Sequence, residues 1–334
     1  MSDERYGMMS ASGAGRWGIC SASWHREKPF TTTETPAMRR GTKIHTVLET
    51  GKGVEGLEPD EREMYWQLTS KMRRTLWDLY EIDPRKLPAG WRAINEVRLA
   101  LYDKRWGPRP FSGKPDVVLI NEKEKRAFIG DYKTGYAWVE PASENLQLRA
   151  LAVLLAGQFD LDEITVAIWQ PFVAGDTPAT YSAIDLCAAR QWLLDSIEAA
   201  MTPSAPATPH ATACKYCKAR STCEEARGVM SKVEKATPAE LSVAEMPKML
   251  AACDVAEAII FKVRELAFKA LEGDPNSIDG WKIKDGRKTR KIADCSKLRE
   301  AVEGSGLLGE SDFKRLTFGL PDIEKLIAEA GNIK

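Results

Sequence analysis

The sequence has no apolar run that approaches the roughly 20 residues needed to span a bilayer. Its first residues, MSDERYGMMSASG, are polar and unlike a signal peptide, so we expect a cytoplasmic protein with no membrane partner. A Walker A motif, G-x₄-G-K-[ST], is also absent, which argues against a built-in ATP-driven helicase. The 48 basic and 48 acidic residues give a net charge of zero. This balance excludes a globally basic nucleic-acid binder but not a local basic surface.

Cysteine is scarce, and its count of seven is odd. An odd count in a chain expected to be cytosolic argues against a disulfide framework and favours metal ligation or buried thiols. Cys214, Cys217 and Cys223 have the spacing C-x₂-C-x₅-C, and three thiolates this close suit a soft metal or a cluster. Zinc is the usual metal for four clustered ligands, and His210 is then the candidate fourth ligand. The other cysteines that lie in helical or apolar surroundings are expected to be inert core residues: Cys187, Cys253 and Cys295.

The 334 residues are enough for one large domain or two. Helical patterns are found at residues 36–52, 60–82, 142–157 and 184–201. Short apolar runs predict strands at residues 94–101, 115–120, 127–132 and 164–172. This order predicts an α/β fold with a mixed central sheet flanked by helices, in a domain over residues 1–234. Residues 235–334 are predicted to be a mostly helical C-terminal extension, with a hairpin at 280–292.

Two acidic residues stand beside neighbouring predicted strands. Asp116 is followed, after fourteen residues, by Asp131, and Lys133 lies two residues further on. Two carboxylates and a backbone carbonyl, such as that of Tyr132, are a sufficient protein share for a hard cation such as Mg²⁺. On a strand, Lys133 points to the same face as Asp131, where an ammonium can orient an attacking water or stabilise a pentavalent phosphorus centre. The alternative interpretation is a strand end with solvated charges.

The pattern Pro115-Asp116 followed by Asp131-Tyr132-Lys133 resembles the PD-(D/E)XK nuclease superfamily. The resemblance implies a restriction-endonuclease-like core and a Mg²⁺- or Mn²⁺-dependent deoxyribonuclease. Asp116, Asp131 and Lys133 would be its catalytic residues, and both carboxylates and the Tyr132 carbonyl would bind the metal.

Three further features resemble the RecB-like branch of that superfamily. Gly41-Thr42-Lys43-Ile44-His45 resembles a helix motif whose histidine is a further metal ligand, and this chain has only three histidines. Glu96 precedes Asp116 where the branch often carries a catalytic acidic residue. Gln147 matches the start of a Q-x-x-x-Y motif that contacts DNA, with Leu151 at the position of the tyrosine.

The cysteine pattern resembles the iron–sulfur nucleases, namely the CRISPR adaptation nucleases, AddB-type subunits and related phage enzymes. These proteins carry one cysteine far upstream and three just after the nuclease core. The resemblance implies a [4Fe–4S] cluster bound by Cys20, Cys214, Cys217 and Cys223, which would staple the N-terminal segment to the end of the core. Zinc, with His210, stays the alternative.

Over nearly its whole length the sequence resembles a phage and prophage family of RecB-like proteins. The resemblance begins in the segment Ser10–Cys20 and extends to Gly280-Trp281-Lys282 and the residues after Gly286. It implies that the chain works on DNA in the bacterial cytoplasm, with phage recombination or replication proteins as partners.

Basic residues are candidates for DNA contacts, because lysine and arginine bind phosphates without regard to sequence. Arg149, Lys215 and Lys218 are isolated candidates. Six more crowd the predicted hairpin: Lys282, Lys284, Arg287, Lys288, Arg290 and Lys291. The alternative for the hairpin is a solvated strand face.

The leading hypothesis is therefore a phosphodiesterase that degrades single-stranded or end-bearing duplex DNA from free ends. One alternative is a non-catalytic DNA-binding or scaffold protein that kept the fold. Another is a zinc-stabilised structural phage protein, for which the C-terminal region would supply partner surfaces. The intact set of Asp116, Asp131 and Lys133 favours catalysis.

Overall fold

The computed structural model describes residues 8–31, 34–94, 97–107, 110–135, 139–173, 177–236 and 241–284. The chain divides into two compact units, one reaching Leu266 and one starting at Ala267. The domain boundary after residue 234 that the sequence suggests stays a prediction. In the described ranges, no helix combines the length and the apolar character that a membrane span requires.

A five-stranded mixed sheet forms the centre of the first unit, in the order β1-β4-β5-β6-β7. Strands β5 and β6 are parallel, and the other neighbours are antiparallel. Strands β2 and β3 form a separate antiparallel pair. The strands are β1 (Arg92–Ala93), β2 (Leu99–Leu101), β3 (Phe111–Gly113), β4 (Val117–Asn121), β5 (Arg126–Tyr132), β6 (Glu163–Trp169) and β7 (Ala179–Ser182).

Helices precede, interrupt and follow the strands. The α-helices of the described residues are α1 (Ala14–Trp17), α2 (Ser23–Arg26), α3 (Pro36–Thr50), α4 (Pro59–Tyr80), α5 (Leu146–Ala156), α6 (Ala183–Met201), α7 (Ala211–Tyr216), α8 (Glu224–Glu234) and α9 (Met246–Gly273). Short 3₁₀ helices lie at Ala11–Gly13, Val54–Gly56 and Lys104–Trp106. The predicted α/β class with a mixed, helix-flanked sheet is confirmed.

The helices α3 and α5, which carry site residues, begin and end where their capping residues require. The Thr35 hydroxyl accepts a hydrogen bond from the backbone nitrogen of Met38, and Pro36 supplies the first residue of α3. Gly51 ends α3 in the left-handed conformation, at a φ of 65°. Asn145 caps the start of helix α5, and its side chain accepts a hydrogen bond from the backbone nitrogen of Leu148 at 3.0 Å. These caps fix the register of both helices against the sheet.

The sheet is buried on both faces, because successive side chains of its central strands enter different cores. On β5, Ala127 and Ile129 pack with residues of α5 and α6. Phe128, which lies between them, packs with Ile44 of α3 and with Met64 of α4. Burial on both faces explains why these strands appear in the sequence as continuous apolar runs.

The structure differs from the sequence-based prediction around residues 94–101, where one strand is expected. Arg92–Ala93 pairs with β4 in the central sheet, whereas Leu99–Leu101 pairs with β3 outside it. Strands β3 and β7 are not evident in the sequence, because they are short and lack a continuous apolar run. Most of the predicted hairpin at 280–292 lies outside the described residues.

Candidate functional site

The two acidic residues of the motif meet because β4 and β5 are antiparallel. Val117, at the start of β4, pairs with Gly130 near the end of β5. Asp116 directly precedes the first of these residues, and Asp131 directly follows the second. The backbone nitrogen of Tyr132 also donates a 2.8 Å hydrogen bond to Oδ2 of Asp116. The strand register therefore places both carboxylates at one end of the sheet.

Asp131, Lys133 and Gln147 form a closed polar network. Nε2 of Gln147 donates to Oδ1 of Asp131 at 2.7 Å, and Oε1 of Gln147 accepts from Nζ of Lys133 at 2.8 Å. Nζ of Lys133 lies 2.6 Å from Oδ2 of Asp131. Asp131 is buried and Lys133 is half-buried. Gln147, on helix α5, thus connects the carboxylate of Asp131 to the ammonium of Lys133.

His45, on α3, joins the same site through Asp116. Its Nδ1 lies 3.2 Å from Oδ1 of Asp116, and its ring stands edge-on to that of Tyr132 at 6.2 Å. The neighbouring Ile44 is fully buried in the core, so α3 is anchored immediately beside the histidine. The predicted residues His45, Asp116, Asp131, Tyr132, Lys133 and Gln147 are all brought together.

Burial and charge shift the protonation equilibria of these groups. Burial raises the pKa of Asp131, and the nearby charge of Asp116 raises it further. Burial alone would lower the pKa of Lys133, but the charge of Asp131 outweighs it, and the pKa is raised. Burial likewise opposes the charged form of His45, yet its hydrogen bond to Asp116 and the charge there raise its pKa. The charged forms of Lys133 and His45 are thus favoured by the carboxylates beside them.

The donor set at this site fits a hard divalent cation. Two carboxylates, an imidazole and a carbonyl oxygen suit Mg²⁺ or Mn²⁺. Oδ2 of Asp131 is buried and, apart from its ion pair with Lys133, accepts no hydrogen bond. Among the described residues, no three His, Cys, Asp or Glu side chains are arranged so that they could hold a metal ion as they stand.

These residues line an open cavity of about 420 Å³, here called the carboxylate cleft. Its walls include three residues that the sequence did not single out: Ser12, Lys114 and Tyr216. Nζ of Lys114 is 3.1 Å from Oε1 of Glu49. Tyr216 lies between Cys214 and Cys217, so its proximity to the cysteines was visible in the sequence, but its proximity to Asp131 was not.

The four predicted cluster ligands also come together, around a second cavity, here called the cysteine cavity. Cys20 arrives from the turn between α1 and α2, and it lines this cavity together with Cys214, Cys217 and Cys223. The backbone nitrogen of Thr208 donates to Sγ of Cys20 at 3.3 Å. Burial raises the pKa of Cys214, and it raises that of Cys217 to about 12.

Two arginines support the cysteine cavity, and neither was evident from the sequence. Nη1 of Arg26 donates to Sγ of Cys223 at 3.3 Å. Arg220 is buried, and its Nη1 donates to the carbonyl oxygens of Lys215 at 2.6 Å and of Cys217 at 3.3 Å. Its Nη2 lies 3.8 Å from a carboxylate oxygen of Glu265 on α9. The guanidinium of Arg220 therefore holds the segment that carries Cys214 and Cys217.

His210, the alternative zinc ligand, does not line the cysteine cavity. Its Nδ1 accepts a 3.2 Å hydrogen bond from the backbone nitrogen of Thr212, where it caps α7. Its side chain instead lines a cavity next to the carboxylate cleft.

Other predicted residues are placed elsewhere. Arg149 stacks on Trp192 at 5.3 Å and lines a separate cavity that contains none of the motif carboxylates, so its DNA contact stays a prediction. Lys282 and Lys284 are exposed. The prediction that Cys187 is a core residue is wrong, because it lies on the exposed side of α6, while Cys253 is half-buried. Predicted residues outside the described ranges are Glu96, Arg287, Lys288, Arg290, Lys291 and Cys295.

Comparison with known proteins assigns the chain to a family. It belongs to the family described as "Protein of unknown function (DUF2800)", whose model matches residues 6–78 and 92–332. No curated protein matches the chain. Among solved structures it is similar to one described as "Crystal structure of SSO0001". That similarity has a TM-score of 0.35 and 13% sequence identity over 67% of this chain and 88% of the other. A TM-score this low does not establish a shared fold.

Proposed function

We propose that this chain is a metal-dependent nuclease of the PD-(D/E)XK type that hydrolyses phosphodiester bonds in DNA. The observation that carries the proposal is the meeting of Asp116, Asp131 and Lys133 in one cleft, at one end of two paired strands. His45 and Gln147 reach the same cleft from two different helices. A solvated strand end would not need a buried carboxylate that is held on both oxygens.

Metal binding in this proposal falls to His45, Asp116, Asp131 and the carbonyl oxygen of Tyr132. A bound Mg²⁺ or Mn²⁺ would lower the pKa of a water molecule and neutralise charge that builds on the phosphate. The imidazole is a softer ligand than a carboxylate, so it favours Mn²⁺ alongside Mg²⁺.

The chain's own cation, Lys133, acts beside the metal. The adjacent carboxylate of Asp131 raises the pKa of Lys133 and keeps its ammonium charged despite its burial. A fixed ammonium at the cleft can orient the attacking water or bind a phosphate oxygen in the transition state. Gln147 holds both side chains in place, which makes it a positioning residue in this proposal, and its predicted contact with DNA stays a prediction.

We also propose that Cys20, Cys214, Cys217 and Cys223 bind a [4Fe–4S] cluster. The supporting observations are their shared cavity and the nitrogen donors to two of the sulfur atoms. The placement of His210 outside this cavity supports Cys20 over His210 as the fourth ligand. The cluster would staple the N-terminal segment to the end of the core.

The biological setting rests on the sequence resemblance alone. We propose an exonuclease that acts from free DNA ends in the bacterial cytoplasm, during phage or prophage recombination, replication or DNA processing. Phage recombination or replication proteins are then its expected partners.

The proposal is tested with anaerobically purified protein, Mn²⁺, and equal amounts of end-labelled linear DNA and covalently closed circular DNA. An exonuclease should release label from the linear DNA and leave the circle intact. Cleavage of both would keep the nuclease but reject the requirement for ends. Cleavage of neither, by protein that retains its metals, would reject catalysis and leave DNA binding or a structural role.

A further inference from the structure

The cavity that His210 lines lies directly beside the carboxylate cleft and has no role in the chemistry described so far. This side cavity has a volume of about 520 Å³. It shares Ser12, Lys133, Val139, Gln147 and Tyr216 with the cleft. A ligand that binds in the carboxylate cleft can therefore extend into the side cavity.

The walls of the side cavity favour a flat, partly apolar group over a phosphate. Ile19, Val139 and Leu146 supply apolar surface, and Tyr216 is about half exposed, at 54%. Two acids, Glu140 and Glu144, line it together with the cations Lys133 and Arg16. Arg16 is already paired with Glu27 at 3.2 Å, so the cavity offers an anion little free positive charge beyond Lys133. Cavities of several hundred Å³ with apolar walls and a few polar groups are typical of small-molecule and base sites.

Tyr216 is held in place between the two sites. It is the last residue of α7, between Cys214 and Cys217, and Nζ of Lys215 lies 5.1 Å from the centre of its ring. The residues on both sides of Tyr216 are held by Arg220, which donates to the carbonyl oxygens of Lys215 and Cys217. An exposed aromatic ring whose backbone is held in this way can bind a flat partner without first being ordered.

We propose that the side cavity is a nucleobase subsite, in which Tyr216 stacks on the base next to the phosphate held at Lys133. This inference rests on the proposed nuclease function and adds Tyr216 as the residue that positions the DNA strand. The phosphate lies toward Lys133, and the base lies toward Tyr216 and the apolar wall. Because a paired base cannot enter such a cavity, the nucleotide beside the cleaved bond must be unpaired.

The test measures binding of an end-labelled oligothymidylate of about fifteen nucleotides, with Ca²⁺ in place of Mg²⁺. Stacking on an aromatic residue is worth enough that Tyr216→Leu should weaken binding about tenfold. Tyr216→Phe keeps the ring and should bind like the wild type. Tyr102→Leu, which changes an exposed tyrosine outside both cavities, is the matched control. Visible absorption must be the same in all four proteins, so that a lost cofactor is not mistaken for lost stacking.

A second measurement changes the DNA and compares the wild type with Tyr216→Leu. A series of oligonucleotides with one abasic site each should contain one position whose loss weakens wild-type binding about tenfold. That position should have no further effect in Tyr216→Leu, because both changes remove the same contact. Equal losses at every position, or wild-type binding by Tyr216→Leu, would overturn the subsite while leaving the nuclease proposal intact. Protein that binds this strand through Tyr216 but never cleaves it would instead retain the subsite and reject the nuclease. Protein that neither binds nor cleaves DNA would reject both.

Discussion

The side-chain amide of Gln147 donates a 2.7 Å hydrogen bond to the buried carboxylate of Asp131. The acid lies at the end of a central strand, and the amide lies in the first turn of α5. This contact fixes the acid's orientation, and the amide oxygen fixes Lys133 at the same time. The bond therefore connects helix packing to the geometry of the proposed catalytic pair.

We expect Gln147→Leu to lower the rate of DNA cleavage about a hundredfold, because small misplacements of catalytic groups have effects of that size. Folding should be retained, since Gln147 is only half-buried. Single-turnover cleavage with excess protein measures the effect. Gln191→Leu, on the exposed surface of α6, is the matched control and should cleave like the wild type. A Gln147→Leu protein as active as this control would show that cleavage does not need the hydrogen bonds of Gln147 to Asp131 and Lys133.

The raised pKa of His45 predicts how metal-free protein responds to pH. Its protonated form is favoured by the fold, so this stabilisation is complete below the ordinary histidine pKa of about 6.5. The stabilisation is lost as pH rises through the higher folded-state pKa. In EDTA, the melting temperature of the wild type should therefore fall across this window relative to that of His45→Gln.

Metal binding should show the opposite trend with pH, because a histidine ligand must be deprotonated. The affinity for Mn²⁺ should rise through the same window in the wild type and change less in His45→Gln. Parallel Mn²⁺ titrations of the two proteins would contradict the assignment of His45 as a ligand.

The cysteine cavity predicts a coloured protein after anaerobic purification, because iron–sulfur centres bound by cysteine absorb visible light. Cys20→Ala, Cys214→Ala, Cys217→Ala or Cys223→Ala should each bleach it and lower the melting temperature. Cys187→Ala is the control, since this cysteine is exposed on α6. Colourless protein with one equivalent of zinc would reject the cluster. Retained colour in Cys20→Ala, together with its loss in His210→Ala, would reassign the fourth ligand.

Gly130, which precedes Asp131, packs closely against the ring of Trp169. A Cβ atom on Gly130 would lie 2.2 Å from the ring of Trp169, which is fully buried. Gly130→Ala should therefore lower the free energy of unfolding by about 1–3 kcal/mol, as overpacked core substitutions do. Gly228→Ala, in α8 with open space around it, should be neutral or stabilising by about 0.5–1 kcal/mol. Urea unfolding measures both, and equal stabilities would show that Trp169 moves aside without loss.

The features of the molecule that the sequence predicts are those encoded within short segments. The motif residues Asp131 and Lys133 are two positions apart on a strand, so their common side follows from strand geometry alone. Helix α3 is delimited by a capping threonine, a proline and a glycine, and its histidine is fixed by that register. The continuous apolar runs of β4, β5 and β6 likewise indicate a sheet that is covered on both faces.

The features that it does not predict depend on contacts between distant segments. The bridge from Gln147 to Asp131 is set by how α5 packs on β5, and no local pattern encodes it. The same holds for Arg220, whose partners include Glu265 on another helix, and for Tyr216 in the carboxylate cleft. The core prediction for Cys187 is wrong because an apolar stretch of sequence does not reveal which side of a helix faces the core.

The most direct test of the central claim compares the Mn²⁺-dependent cleavage rate of wild-type protein with that of Asp131→Asn. The control is Asp160→Asn, which changes an exposed carboxylate that pairs with Lys125 at the surface. The proposed site predicts that Asp131→Asn loses at least about a hundredfold in rate, while its fold and visible absorption are retained and Asp160→Asn cleaves normally. Cleavage by Asp131→Asn at the wild-type rate, in protein free of contaminating nuclease, would contradict the assignment.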